Sequence, residues 1–398
     1  MLQNPTGMQR IGLAILLGML ATLGPLNIDM YLPSFPEIGD DLNARASLVQ
    51  LSLTACLIGL GIGQVFVGPI SDAQGRKKPL IISIILFAVA SLLCALAPNI
   101  TTLIVARFLQ GFTAAAGIVV SRAVVRDVFS GRELTTFFAL LMVINAVAPM
   151  LAPLAGGGIL WFPFTDWTTI FYFLAFLGVL IVVIVSWKLE ETLPKEKRMP
   201  SSLGVTVHTI GDLLKDRSFI GYALTLGFVH GGSFAYVSGT PFVYQEIYGV
   251  SPQTFSILFG MNGAAIIIGS FLVGRLSGVM HERTLLRTAV ITGTSAAAVL
   301  LAMTIVEGPL FMIVLPIFIY MTCMGVVLTA SFTLAIAKQG HRAGSASALL
   351  GMLPLLIGAA SAPIAGISEG TAVPMGATIF VTCAIGMFTF LNLTKNEQ

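Results

Sequence analysis

Two charged positions stand where an apolar chain should exclude them. GPLNIDMYLP, residues 24–33, carries Asp29 at the far end of a long apolar run, and IVARFLQGFTAAAG, residues 104–117, carries Arg107 and Gln110 inside another. A charged side chain at the centre of a bilayer costs about 2.5–3.5 kcal/mol on insertion scales, so such groups pair, hold a proton or face a polar interior. The chemistry open to a carboxyl and a guanidinium there is proton binding, ion pairing and countercharge to a ligand. Asp29 lies 19 residues beyond Arg10, or about 28 Å along a helix. Arg107 lies 15 residues before Arg122, or about 22 Å. Both therefore fall in the half of the membrane away from these basic ends, at similar depth.

Three further segments carry chemistry. GPISDAQGRKK, residues 68–78, ends a helix with glycine and proline and sets Asp72, Gly75 and three cations at the membrane surface. NAVAPMLAPLAGG, residues 145–157, places Pro149 and Pro153 inside a span, where they break backbone bonding. Its alanines and glycines, Gly156 and Gly157 among them, admit another helix closely. In the second half a polar and aromatic set stands out: His230, Phe234, Tyr236, Tyr244 and Asn262. With Asn27, Met30, Tyr31, Gln110 and Asn145 from the first half, His230, Phe234, Tyr236 and Asn262 are the candidate lining of a substrate cavity.

Several chemistries find no support. Cys56, Cys94, Cys323 and Cys383 all fall in apolar runs without CxxC spacing, and His208, His230, His281 and His341 form no HExxH pair. No metal site or cofactor is expected. No GxxxxGK[ST] occurs, so nothing would bind and hydrolyse ATP. GLGIGQVFVG, residues 59–68, mimics a dinucleotide loop but lies within an apolar helix, where its glycines serve helix packing.

The elements that must position these residues follow from composition. The chain has 398 residues, 56% hydrophobic and 10% charged, against about 25% charged for a soluble domain. Apolar runs of spanning length fall near residues 11–35, 47–70, 79–97, 100–121, 134–158 and 167–187. They resume near 218–246, 252–279, 285–305, 309–337, 343–367 and 372–393. The first reads as a span rather than a secretory signal, because no convincing cleavage site follows it. Twelve spans in an all-α membrane protein are predicted, as two six-helix bundles over 1–188 and 218–398. The charged segment 189–217 links them and is expected to carry a surface helix near 205–215. Of 21 basic residues, 19 lie on the side of the N-terminus, so both termini are expected to be cytoplasmic. Nothing suggests nucleic acid. The two-half plan fits the parallel repeats of secondary transporters.

A family resemblance now adds to this reading. Gly68, Asp72, Gly75, Arg76 and Lys77 resemble the loop signature G-x3-D-[RK]-x-G-[RK]-[RK] of the major facilitator superfamily, with Ala73 departing where a cation is usual. Arg107, Gln110 and Gly111 resemble its span-four signature R-x-x-Q-G. Pro153, Gly156 and Gly157 are similar to its span-five antiporter signature, with Ala148 and Ala152 where glycine is common. The IDMYLP stretch is similar to the first span of drug:proton antiporters, most closely the bicyclomycin- and chloramphenicol-resistance (Bcr/CflA) subfamily.

The resemblance implies that Asp29 carries the proton and Arg107 assists it. Apolar burial favours a protonated carboxyl and a nearby guanidinium favours the carboxylate. An acid that meets Arg107 in one conformation and leaves it in another thus changes its hold on a proton. The resemblance also implies that Asp72 docks on the start of span eleven, near Gly344–Ser347, latching the halves on the cytoplasmic side. A second acid found two turns earlier in some relatives is absent, since Ala21 stands there. The implied activity is export of small amphipathic compounds in exchange for protons, by a protein of the bacterial cytoplasmic membrane. It would work as a monomer without an obligatory protein partner. A proton-coupled symporter or a facilitator of a small metabolite uses the same fold. An enzyme would want a nucleophile–base set, and none is visible.

Overall fold

The computed structural model describes residues 7–198, 211–337, 339, 343–368 and 370–394. Among them no strand occurs, and twelve helices of 19 residues or more account for the architecture. In the first half these are α1 (Gly7–Asp29), α2 (Ala46–Gln74), α3 (Lys77–Ala95), α4 (Ile100–Val128), α5 (Gly131–Ile159) and α6 (Trp167–Lys188). In the second they are α7 (Arg217–Phe242), α8 (Pro252–Leu276), α9 (Glu282–Ile305), α10 (Leu310–Ile336), α11 (Ala343–Ser361) and α12 (Val373–Leu393). A short helix, Phe35–Asp41, follows α1.

Ten of these helices contain a stretch long and apolar enough to cross a membrane. Of the other two, α5 carries an apolar stretch over Val143–Ile159. In α7 the run HGGSFAYVSGT lowers the mean hydropathy, and almost every residue of that run is buried. A helix enclosed by neighbours does not need a lipid-soluble surface on every side.

The ends of the helices are set by ordinary capping chemistry. Asn99 accepts from the Thr102 backbone N–H at 2.9 Å and starts α4. Asp166 and Thr169 form a capping box at α6. Asp216 caps α7 through Ser218 and Phe219, and Ser251 followed by Pro252 starts α8.

The chain divides into two compact units, Met1–Leu42 with Ala55–Leu203, and Asn43–Thr54 with Gly204–Gln398. The first turns of α2 thus group with the second unit, where Gln50 Nε2 donates to the Ser238 carbonyl at 3.1 Å and Thr54 Oγ1 to that of Ala359 at 3.2 Å. The same packing plan recurs in each unit. In the first, α1 lies on α4 and α5, and α3 on α4 and α6; in the second, α7 lies on α10 and α11, and α9 on α10 and α12. The expected surface helix near 205–215 falls largely on residues outside those described, as do His208, Lys338, His341, Arg342, Glu369 and Lys395.

Glycine sets the closest helix crossings. In the first unit a side chain at Gly59 or Gly63 of α2 would strike the carbonyls of Phe108 or Phe112, and one at Gly111 of α4 would strike that of Cys56. The second unit repeats this device: Gly269 of α8 faces the Thr322 carbonyl and Gly325 of α10 faces that of Ile266.

Candidate functional site

The α2–α4 crossing at Gly111 fixes Arg107 one helical turn earlier. Arg107 is fully buried, with 0% of its surface exposed. Its Nη2 donates to the Asn27 backbone carbonyl at 2.7 Å, and its Nη1 to Asn27 Oδ1 at 2.6 Å and to Gln110 Oε1. That carbonyl lies in the last turn of α1, where intrahelical donors run out, so a cation there caps the helix and answers its dipole. Tyr31 covers the guanidinium at 4.2 Å from its ring centroid, and Phe171 flanks it at 5.6 Å. These distances lie in the cation–π range. The Nε of Arg107 finds no partner among the described residues.

The network continues through neutral groups. Asn27 Nδ2 donates to Cys56 Sγ at 3.1 Å, Gln110 Nε2 to Ser91 Oγ at 2.8 Å, and Cys94 Sγ to Gln110 Oε1 at 3.6 Å. Asn27, Met30, Tyr31 and Gln110 are therefore enclosed in the interior of the first unit. Asn145, half-buried on α5, donates from Nδ2 to the Leu141 carbonyl at 2.8 Å.

Asp29 is the last residue of α1 and is 5% exposed. No hydrogen bond or ion pair reaches its carboxyl group among the described residues. Arg107 and Asp29 are both buried in this unit, but they do not form an ion pair; Arg107 binds Asn27, two residues away, instead. The antiporter-type segment meets α1 at the same place: a side chain on Gly156 would overlap the carbonyl of Met30. Pro153, Gly156 and Gly157 are buried here, and Pro149 is half-buried. Among the described residues, a carboxyl without a partner thus sits beside the closest contact of a helix that carries two prolines.

At the other end of the first unit, the loop signature forms a second charged cluster. Gly75 has φ +95°, a conformation that favours glycine, and a side chain there would strike the Glu191 carboxylate. Arg76 is buried and donates from Nε to Asp127 Oδ2 at 2.8 Å, and from Nη1 to Asp72 Oδ1 at 2.5 Å and Ser71 Oγ at 2.9 Å. Burial works against this guanidinium's charge, but Asp127 and Asp72 outweigh it and raise its pKa. Glu191 accepts from the backbone N–H of Arg76 at 2.8 Å and of Lys77 at 3.2 Å. It therefore serves the start of α3, which has no side-chain cap of its own. Lys77 Nζ donates to the Ser186 carbonyl at 2.9 Å, and a side chain at Gly68 would meet only Val119, at 3.9 Å. The expected docking of Asp72 near Gly344–Ser347 remains an expectation; within its own unit Asp72 binds Arg76.

Asp127 and Glu191 were not singled out by the sequence. Asp127 stood as one acid beside Arg126 in a basic end, and Glu191 as part of a charged linker. No spacing in the chain pairs either with Arg76, 51 and 115 residues away respectively.

In the second unit the candidate residues form a neutral set. Asn262 Nδ2 donates to the Tyr236 hydroxyl at 2.8 Å, while its Oδ1 is buried and finds no donor among the described residues. Tyr236 stacks on Phe259 at 5.2 Å, and Phe255 links Phe259 to Tyr244. His230 stacks on Phe234 at 5.8 Å, on the same helix. Among the described residues no group of three His, Cys, Asp or Glu side chains could hold a metal ion.

Comparisons with known proteins agree with this architecture. Residues 17–363 match the Major Facilitator Superfamily. The uncharacterized MFS-type transporter YdgK of Bacillus subtilis is 69% identical over 397 residues, covering 100% of this chain and 99% of that protein. A bicyclomycin resistance protein homolog of Haemophilus influenzae is 31% identical over 382 residues, 96% of each chain. The crystal structure of the nucleoside transporter NupG superposes with a TM-score of 0.77 at 12% identity, covering 97% of this chain and 99% of that one. At that identity the likeness concerns the fold. The chain belongs to the Major Facilitator Superfamily: it is a multi-pass bacterial membrane transporter rather than an enzyme.

Proposed function

We propose that this transporter exports small amphipathic compounds in exchange for protons, with Asp29 as the proton-carrying group. The observation that carries the reading is the unpartnered, buried carboxyl of Asp29 beside the Gly156–Met30 contact. A group that must bind and release protons cannot be locked in a permanent ion pair. Arg107 supports it from a fixed place, by holding the end of α1 through Asn27. The resistance protein named above, similar over 96% of this chain, favours a drug as the exported compound. The proposed cycle needs no cofactor beyond the coupling proton and no partner beyond substrate and bilayer.

The outward half of the cycle begins with substrate taken from the cytoplasm or inner leaflet, competing with the proton at Asp29. Release outside leaves the carboxyl free to reload. Proton-coupled symport of a small metabolite remains the second reading, since the same acid would serve it. Reconstituted vesicles separate them: an imposed pH gradient should drive bicyclomycin or another drug uphill against the proton flow, and Asp29→Asn should abolish the coupling. Movement of drug and proton in the same direction would favour symport instead.

A further inference from the structure

The connection between α5 and α6 is unlike that between α3 and α4, where the turn at residues 96–99 carries asparagine. Residues 160–165 read LWFPFT, without a charge. Trp161, Phe162 and Phe164 are 74%, 54% and 83% exposed. In water this would be an unfavourable patch of large apolar side chains with no cover.

The patch is also held in shape. Thr165 Oγ1 donates to the carbonyls of Ile159 at 2.6 Å and Phe162 at 2.7 Å, and the Trp161 and Phe162 N–H groups donate to Gly158 and Ile159. Phe162 and Phe164 lie 5.7 Å apart by ring centroids. The capping box of Asp166 and Thr169 then starts α6 immediately. Much of the turn's backbone and the Thr165 hydroxyl are thus bonded internally while three aromatic rings are exposed, which suits an amphipathic boundary rather than bulk water.

Apolar exposure continues further along both helices. Leu151 on α5 and Phe173 and Phe176 on α6 are exposed along the same two helices. We infer that Trp161, Phe162 and Phe164 form an interfacial anchor that inserts into the bilayer leaflet at the end of the unit opposite the termini. By the distribution of basic residues this is the outer leaflet. The anchor lies five residues after Gly156, so lipid holds the same helix end that touches Met30 beside Asp29.

The chain has three tryptophans, so Trp167→Phe with Trp187→Phe leaves Trp161 as the sole reporter. In phosphatidylglycerol–phosphatidylethanolamine vesicles, bromines near the lipid carbonyls should quench it about twofold more than bromines at the bilayer centre, the depth at which interfacial aromatics sit. Aqueous iodide should quench it several-fold less than free tryptophan. Trp167 Nε1 donates to Asp41 Oδ2 at 2.9 Å; if losing that bond disturbs folding, a nitroxide on Phe164→Cys in the otherwise native chain gives a second reading. Its relaxation should respond to oxygen more than to a water-soluble nickel chelate. Ready quenching by iodide, or a nitroxide favouring the chelate, would place the loop in water and overturn the anchor. Shielding from lipid and water reagents alike would assign the patch to a protein partner and overturn it equally.

Discussion

The two units share a scaffold and differ in charge. Each crosses its second and fourth helices on glycines that admit a backbone carbonyl, Gly111 against Cys56 in one and Gly325 against Ile266 in the other. The first unit buries Asp29, Arg76 and Arg107, while the described residues of the second bury no charged side chain. Where α4 carries Arg107, α10 carries Tyr320, whose hydroxyl donates to the Val229 carbonyl at 2.6 Å. Both side chains reach across to the first helix of their own unit. A neutral donor is sufficient to join two helices, so the charge in the first unit calls for a separate reason. The connections between the second and third helices of each unit differ in the same sense. The α2–α3 turn is tied by Arg76, Asp127 and Glu191, whereas the α8–α9 turn exposes Val279 and Met280.

The largest test of that difference removes the buried charge. Arg107→Ala removes three hydrogen bonds to Asn27 and Gln110 and should destabilise the protein by about 3–5 kcal/mol, since each buried acceptor that loses its donor costs about 1–3 kcal/mol. Tyr320→Phe in the second unit should cost about 1–3 kcal/mol, the range for one buried hydrogen bond lost with its acceptor left behind. Denaturant unfolding in detergent compares the two, and equal losses would break the distinction between the units.

The shared scaffold predicts the opposite pattern. Gly111→Ala and Gly325→Ala each push a methyl group into a backbone carbonyl and should cost similar amounts, about 1–3 kcal/mol. Gly12→Ala, which meets nothing, is the control. A third comparison sharpens the role of Glu191. Glu191→Gln should speed amide exchange at Arg76 and Lys77 by roughly tenfold, since one charge-assisted acceptor is weakened there. Exchange at Glu282 and Arg283 in the second unit should not change.

The smallest expected effect is at Asp166. Burial slightly opposes its ionisation, but the Thr168 hydroxyl and the Thr169 and Thr168 backbone N–H groups prevail and lower its pKa. Its folded pKa being depressed, the contribution is present above the unfolded value and is lost as pH falls through the folded one. Asp166→Ala should cost about 1 kcal/mol at neutral pH, the usual worth of an N-cap, and less in acid. Unfolding followed at both pH values checks it.

Much of the fold was legible because lipid imposes length and apolarity on each span. The differences arise where that constraint stops. The apolar run 100–121 continues as helix to Val128, since backbone bonding does not end at the hydrocarbon edge. The run 218–246 passes from α-helix into a wider turn at Val243, just after Pro241. Of the site, Asp29, Arg107 and Gln110 were legible as polar intrusions. The partners of Arg107 were not, because any of several acceptors at one depth would serve. Arg107 was read as meeting Asp29 in one conformation and leaving it in another; here it clasps Asn27, a residue read only as a possible substrate contact. Glu191 was hidden among linker charges, where only the fold reveals that it starts α3.

The account rests on the claim that the charged interior of the first unit couples protons and the neutral interior of the second does not. Drug accumulation driven by a pH gradient in vesicles containing Asp29→Asn, set beside His230→Gln, tests this most directly. The account predicts that coupling disappears in the first variant and persists in the second. Coupled accumulation by Asp29→Asn, or its loss in His230→Gln alone, would contradict it.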